Sequence, residues 1–286
     1  MIKRAHLRQF MAVVDNGTFT RAAERLGITQ PSLSAGIAEL ERLIGSQLFL
    51  RERRRVRLTD AGNRLAAHAR SIEREFRAAE ASLTDAAPPA APLALGVLTS
   101  ISTTQLAALV QGWNGARGLE LVEGTDAELR RRLAEGRLAF ALTLLRPEDG
   151  ERGVEPLLDE PYRLMLPASH PLASAGRLDP RDVAGEVMIA RRSCEILAET
   201  SRFFTQRGIR PPFALRSAND DRCMEMVRAG LGITTAPRSL ARDGVIAMPL
   251  ADYDFRRSIG LVTGTGAGAE ESEALFAASK AAFPAS

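Results

Sequence analysis

The chain has 286 residues, of which 45% are hydrophobic and 26% charged, the proportions of an ordinary globular protein of two or three compact units. Two cysteines are too few for a disulfide scaffold, and with three histidines they show no metal-ligand spacing, so a disulfide-rich secreted class and a structural zinc module are excluded. The net charge of +3 is uneven: residues 1–62 carry eleven Lys or Arg against six Asp or Glu, a basic head on a mildly acidic body, as expected where nucleic-acid binding is confined to one end.

The opening Met1-Ile2-Lys3-Arg4 is basic, but the apolar run after Arg8 is broken by Asp15, too early for a signal peptide. No stretch reaches transmembrane length, so a cytoplasmic protein is expected. From Thr18 the pattern sharpens. Phe19 to Leu26 predicts a short helix with Thr18 as N-cap, and Gly27 supplies the left-handed residue that ends it. Thr29 caps a second helix with Pro31 in its first turn, where the missing N–H does no harm. Leu33, Ile37, Leu40 and Ile44 form its buried side. Two short helices across a tight glycine turn make a helix-turn-helix.

Thr29, Gln30, Pro31, Ser32, Ser34 and Ala35 crowd the start of that second helix. Small polar residues there allow close approach to base edges in a major groove. Downstream, Arg51, Arg53 and Arg54 lie in a basic ribbon suited to flanking phosphates. The competing reading is a core face followed by a solvated charge run.

Leu7-Arg8-Gln9-Phe10, Thr18-Phe19-Thr20-Arg21-Ala22-Ala23, Gln30-Pro31-Ser32-Leu33-Ser34, Leu40-Glu41, Leu48-Phe49 and Leu58-Thr59-Asp60-Ala61-Gly62 resemble, in order and spacing, the head of LysR-type transcriptional regulators. The resemblance implies a winged helix-turn-helix over residues 1–62, with the wing near Arg51 to Leu58. Where members often carry a long polar residue after the second serine, this chain has Ala35-Gly36. Phosphate contacts, DNA shape and the spacing of paired heads are therefore expected to carry much of the operator specificity.

Residues 63–87 read as one long helix, in which Leu65, Ala69, Ile72, Phe76, Ala79 and Leu83 form a heptad seam. In the resembled family this linker helix dimerises. Residues 88–92 lie in a proline- and alanine-rich hinge, and residues 93–286 then alternate strand-like and helix-like segments, which predicts βαβ units and a parallel sheet. Glu135-Gly136-Arg137-Leu138, Leu166-Pro167-Ala168-Ser169-His170-Pro171 and Val227-Arg228-Ala229-Gly230-Leu231-Gly232 resemble the family's effector domain, although Ala139 stands where an acid is usual. The fold class implied is α/β: a two-lobed, periplasmic-binding-protein-like effector domain behind an α-rich winged head. Lobe I would span about 93–160 and 260–286, and lobe II about 161–259.

Ligands of open α/β sheets bind beyond the carboxyl ends of strands. Thr99, Ser100, Ile101, Ser102, Thr103, Thr125, Thr143, Ser193, Cys194, Asn219, Asp220 and Thr234 fall at such ends and are the candidate effector residues. Hydroxyls and helix-start N–H groups suit a carboxylate, so an anionic effector is expected, with Arg191 or Arg192 adding charge. Plain N-capping is the competing reading of each hydroxyl. Arg130-Arg131-Arg132 reads as a solvated helix face, and Trp113 and Phe203-Phe204 as helix packing. Cys194 and Cys223 read either as a redox-responsive dithiol or as two small apolar residues.

The expectation is a sequence-specific regulator whose small effector shifts the spacing of two heads. Its partners would be double-stranded DNA with an interrupted inverted repeat, the effector, further copies of itself as a homodimer or homotetramer, and, as a candidate, RNA polymerase. Neither a cofactor nor a membrane is expected. An enzyme using the same cleft is the rival, but the chain has no G-x-S-x-G, P-loop or dinucleotide fingerprint.

Overall fold

The computed structural model describes residues 1–51, 56–82, 91–150, 153–264 and 267–284. The head opens with α1 (Arg4–Asn16), α2 (Phe19–Leu26) and α3 (Gln30–Ile44). The side chain of Thr18 accepts from the N–H of Arg21, and that of Thr29 accepts from the N–H of Ser32, so both expected caps form. Gly27 has φ 67°, the left-handed region that ends α2 at little cost for glycine. Phe10, Val13, Ala22, Leu33, Ile37, Leu40 and Leu48 fuse the three helices into one core.

Strands β1 (Phe49–Arg51) and β2 (Val56–Leu58) pair antiparallel with Arg51 opposite Val56. They are the two sides of the expected wing; Arg53 and Arg54 lie outside the described residues. Helix α4 (Asp60–Ser82) begins where Thr59 accepts from the N–H of Gly62 at 3.0 Å. Residues 83–87 of the expected linker helix and 88–90 of the expected hinge lie outside the described residues. The seam divides. Ala69 is buried in the head's own core with Leu65 packed against it, whereas Ile72, Phe76 and Ala79 are exposed.

Beyond residue 90 come β3 (Leu93–Leu98), α5 (Thr103–Gly112), β4 (Leu119–Gly124), α6 (Asp126–Ala134) and β5 (Phe140–Leu144). The long β6 (Val154–Pro167) follows, then β7 (Met188–Arg191), α7 (Leu197–Gln206), β8 (Phe213–Ser217), α8 (Asp220–Arg228), β9 (Thr234–Pro237) and β10 (Val245–Met248). Strand β11 (Arg256–Thr263) and helix α9 (Ala269–Ala282) close the chain.

The sheet is mixed, which corrects the purely parallel expectation. Strand β3 pairs parallel with β4 and β5, but β11 runs antiparallel to both β5 and β6, and β9 and β10 run antiparallel to β6. One continuous order, β10-β6-β11-β5-β3-β4, therefore crosses both lobes, with β6 and β11 as the bridge. The sequence pattern alone starts β6 at Tyr162, because Pro156, Asp159, Glu160 and Pro161 interrupt its apolar run. A register shift between Ile259 and Gly260 falls opposite the Pro156-to-Leu158 stretch, and a bulge is where a strand tolerates a residue without a donor. Lobe I encloses one apolar core and lobe II two. No described helix is long and apolar enough to cross a membrane.

Candidate functional site

Two regions carry the chemistry. On the head, Thr29, Gln30, Pro31, Ser32 and Ala35 are exposed and Ser34 half-buried, around the first turns of α3. Gln30 Nε2 donates to Ser34 Oγ at 2.9 Å, and the hydroxyls of Thr29 and Ser32 meet at 2.8 Å, which orders this surface at the helix start. Arg42 is engaged by Glu39 through two bonds of 2.6 and 2.7 Å. Gly36 does not thin this face, as the sequence suggested. It is half-buried, and a Cβ there would run into the Gln9 side chain of α1. The glycine lets two helices approach.

The Leu40-Glu41 motif also gains a reason. Glu41 Oε1 accepts the N–H groups of Leu48 and Phe49 at 2.8 and 3.3 Å, tying the end of α3 to the first wing strand.

The second region lies where the lobes meet across β6 and β11. Arg257 on β11 and Glu160 on β6 are nearly inaccessible, at 3% and 2% side-chain exposure, and bond at 2.8 Å. Glu195, from the loop after β7 in lobe II, joins them. Its carboxylate accepts from Arg257 Nη1 at 2.7 Å, from the Tyr162 hydroxyl at 2.8 Å, and from Ser100 Oγ of lobe I. Ser100 in turn accepts from Arg257 at 2.7 Å. Glu160 also takes the N–H and hydroxyl of Ser239 at 2.6 and 2.9 Å.

A second bridge crosses at the rim. Thr103 of lobe I donates to Asp221 of lobe II, which Arg242 holds at 2.6 Å. Burial works to raise the Glu195 pKa, but the Arg257 charge and the donated hydrogen bonds outweigh it and hold the carboxyl below its ordinary value. Tyr162 moves upward, chiefly through burial and then through the Glu195 charge, and stays a donor.

Of the sequence-derived effector residues, Ser100 and Thr103 meet lobe II directly, and Ile101 is buried between them. Thr99 is half-buried, with its N–H on the Gly124 carbonyl at 3.1 Å. Ser102, Thr125 and Asn219 cap α5, α6 and α8. Thr143 is buried and donates to Asp126 at 2.9 Å, and Thr234 is buried and donates to the Ile189 carbonyl at 2.7 Å.

Ser193 donates to Asp220 at 2.7 Å, and Asp220 accepts Arg191 Nε at 2.8 Å. Of the two arginines expected to add charge, Arg191 is held in this buried pair, whereas Arg192 is exposed. Arg130 likewise is no solvated cation: it bridges Asp126 and Asp149 and donates to the Leu144 carbonyl. Glu195, Arg257, Glu160 and Tyr162 were missed. Two charges opening β11 and one inside β6 were the available signal, and neither names its partner.

Cys194 is half-buried beside one lobe II core and Cys223 fully buried in the other, and both are free thiols. Burial raises both pKa values, that of Cys223 to about 11.

A winged helix-turn-helix carried on a long helix, ahead of two α/β lobes bridged by crossing strands around a polar junction, defines the class of ligand-responsive DNA-binding regulators. Residues 5–63 match the model of the bacterial regulatory helix-turn-helix protein, lysR family, and residues 86–283 that of the LysR substrate binding domain. The chain belongs to the LysR-type transcriptional regulator family, and it is a regulator, not an enzyme.

A probable hydrogen peroxide-inducible genes activator of Mycobacterium avium is 31% identical over 94% of this chain and 90% of its own. Among solved structures, ArgP from Mycobacterium tuberculosis superposes with a TM-score of 0.72 at 22% identity, over 99% of this chain and 98% of its own. Full-length LysG from Corynebacterium glutamicum with bound effector Arg gives 0.72 at 19%, over 98% of each.

Proposed function

We propose that this regulator senses a small anionic effector by carboxylate exchange at the lobe junction. Glu195 occupies the point where Ser100, Tyr162 and Arg257 converge as donors, the arrangement that would hold an effector carboxylate. That observation carries the reading. An entering anion displaces Glu195, the bridge between Ser100 and lobe II opens, and the lobes shift relative to one another. Heads paired through α4 would then change spacing on an interrupted inverted repeat. Thr29, Gln30, Ser32, Ser34 and Ala35 would face the groove, and Arg51, Arg53 and Arg54 the phosphates. RNA polymerase is a candidate partner in the cytoplasm, where the DNA target lies.

The test is thermal stabilisation of the full chain by a panel of small mono- and dicarboxylates and amino acids, on wild type and Glu195→Gln. A weaker internal ligand should raise affinity for anions in the variant by about tenfold, the size of one charge-assisted bond removed from the competition. Equal affinity in both chains would end the exchange mechanism.

A second reading draws on the relative named for peroxide induction. Cys194 precedes Glu195 in sequence, so oxidation there would move the bridging carboxylate. The Cys194 thiolate would attack hydrogen peroxide, forming sulfenic acid and releasing hydroxide. Burial, which raises its pKa, opposes this chemistry, and Cys223 packs in a different core. A peroxide effect on DNA binding that vanishes in Cys194→Ser would support it; an unchanged response in that variant would remove it.

A further inference from the structure

Lobe II holds a cavity of about 540 Å³ walled by β7, β8 and α7, within the range of small-molecule sites. It opens to solvent, with Arg192, Leu197, Arg210, Phe213 and Arg216 exposed around its mouth. Strand β7 touches the segment before β9 through one isolated bridge, Met188 to Ile233, and pairs along its length with β8. The resulting wall is largely apolar: Ile189, Leu197, Phe204 and Phe213 line it.

Four arginines, Arg191, Arg192, Arg210 and Arg216, line the same cavity, and no Asp or Glu does. Arg191 is paired with Asp220, whereas Arg192, Arg210 and Arg216 have no carboxylate partner among the described residues. The Arg216 guanidinium sits 4.9 Å from the centre of the Phe213 ring, so cation and apolar wall are held together. Cys194 also lines the cavity and gives it a chemical reporter.

We propose that this cavity is a second ligand site, separate from the lobe junction, for an organic monoanion with an apolar body: a medium-chain aliphatic or aromatic carboxylate. The body would lie against Phe204 and Leu197 and the carboxylate would meet the arginines. The loop that follows β7 walls the cavity at Cys194 and enters the junction at Glu195, so occupancy here would bear on the lock.

The probe is decanoate, with decanol as its uncharged counterpart, on the full chain. Binding is read calorimetrically and as protection of Cys194 from N-ethylmaleimide, measured by mass spectrometry. Decanoate should slow labelling of Cys194, decanol should do so at least tenfold less well, and Arg210→Gln with Arg216→Gln should weaken decanoate about tenfold. Leu197→Trp, which fills the cavity from a partly exposed position, should abolish the protection. Glu195→Gln separates the two sites. If it alters decanoate affinity while the arginine changes do not, the anion sits at the junction and the proposal falls. Equal protection by decanol, or none by decanoate, also overturns it.

Discussion

Glu195 is held by three donors that come from distant parts of the chain: Ser100, Tyr162 and Arg257. Its carboxyl is depressed in the folded chain and returns to its ordinary value on unfolding, so the lock contributes stability above that ordinary value and loses it as pH falls through the folded one. Glu195→Gln should therefore destabilise the effector domain by about 2 kcal/mol at neutral pH, the scale of hydrogen bonds to a charged group. The gap between variant and wild type should close toward acid. Thermal melts across the acidic range check this, and a gap that widened as pH fell would contradict the depressed carboxyl. The cysteines give a second outcome at this scale. Cys223 is inaccessible, with its pKa pushed up to about 11 by burial, and Cys194 is half-buried on a cavity wall. Iodoacetamide on the native chain should label Cys194 well before Cys223, as mass spectrometry of the two peptides would show.

At the scale of elements, the junction between α3, the wing and α4 rests on backbone closeness. A Cβ on Gly62 would press into the Leu48 carbonyl, and backbone cannot move aside as a side-chain tip can. Gly62→Ala should cost the head about 1–3 kcal/mol through overpacking, visible as a lowered denaturant midpoint. The wing makes its own test. Arg53→Ala or Arg54→Ala should weaken DNA binding and reduce the slope of log affinity against log salt by roughly 0.9 for each phosphate that is no longer neutralised. Unchanged slopes in both would move the phosphate-binding surface elsewhere.

The head was legible because its signals are local: Thr18, Gly27, Thr29 and Pro31 act on the residues beside them. The mixed sheet was less so. Pro156 and Pro161 hide the first half of β6, and no periodicity in either crossing strand announces that one strand serves two lobes. Ser100 is legible because it lies in the loop just beyond β3; Glu195 is not, since its role exists only once Arg257 and Ser100, far apart in sequence, are brought to it.

For the whole molecule, the open apolar face of α4 at Ile72 and Phe76 decides how the heads pair. Arg4 bonds Glu73 and Glu80 at 2.9 Å and stacks 4.2 Å over the Phe76 ring, bracing α1 along the helix. Ala67 of α4 also meets lobe I, where a Cβ on Gly136 would approach its Cα to 2.7 Å, so the helix has neighbours on two sides. Yet Ile72 and Phe76 remain 39% and 42% exposed, on the continuation of the seam that Leu65 and Ala69 begin inside the head. Large apolar side chains at heptad spacing on an open helix face suit the same face of a second copy. Pairing would turn binding of the second half-site into an intramolecular step, which strengthens operator binding by about a hundredfold or more without any new base contact. Ile72→Glu with Phe76→Glu should therefore yield a monomer in sedimentation velocity. Its affinity for a full inverted repeat should fall by at least that factor, while its affinity for an isolated half-site stays near the wild-type value. A variant that still sedimented as a dimer and bound the repeat tightly would place the interface on another surface, and α4 would then serve only to carry the head against lobe I.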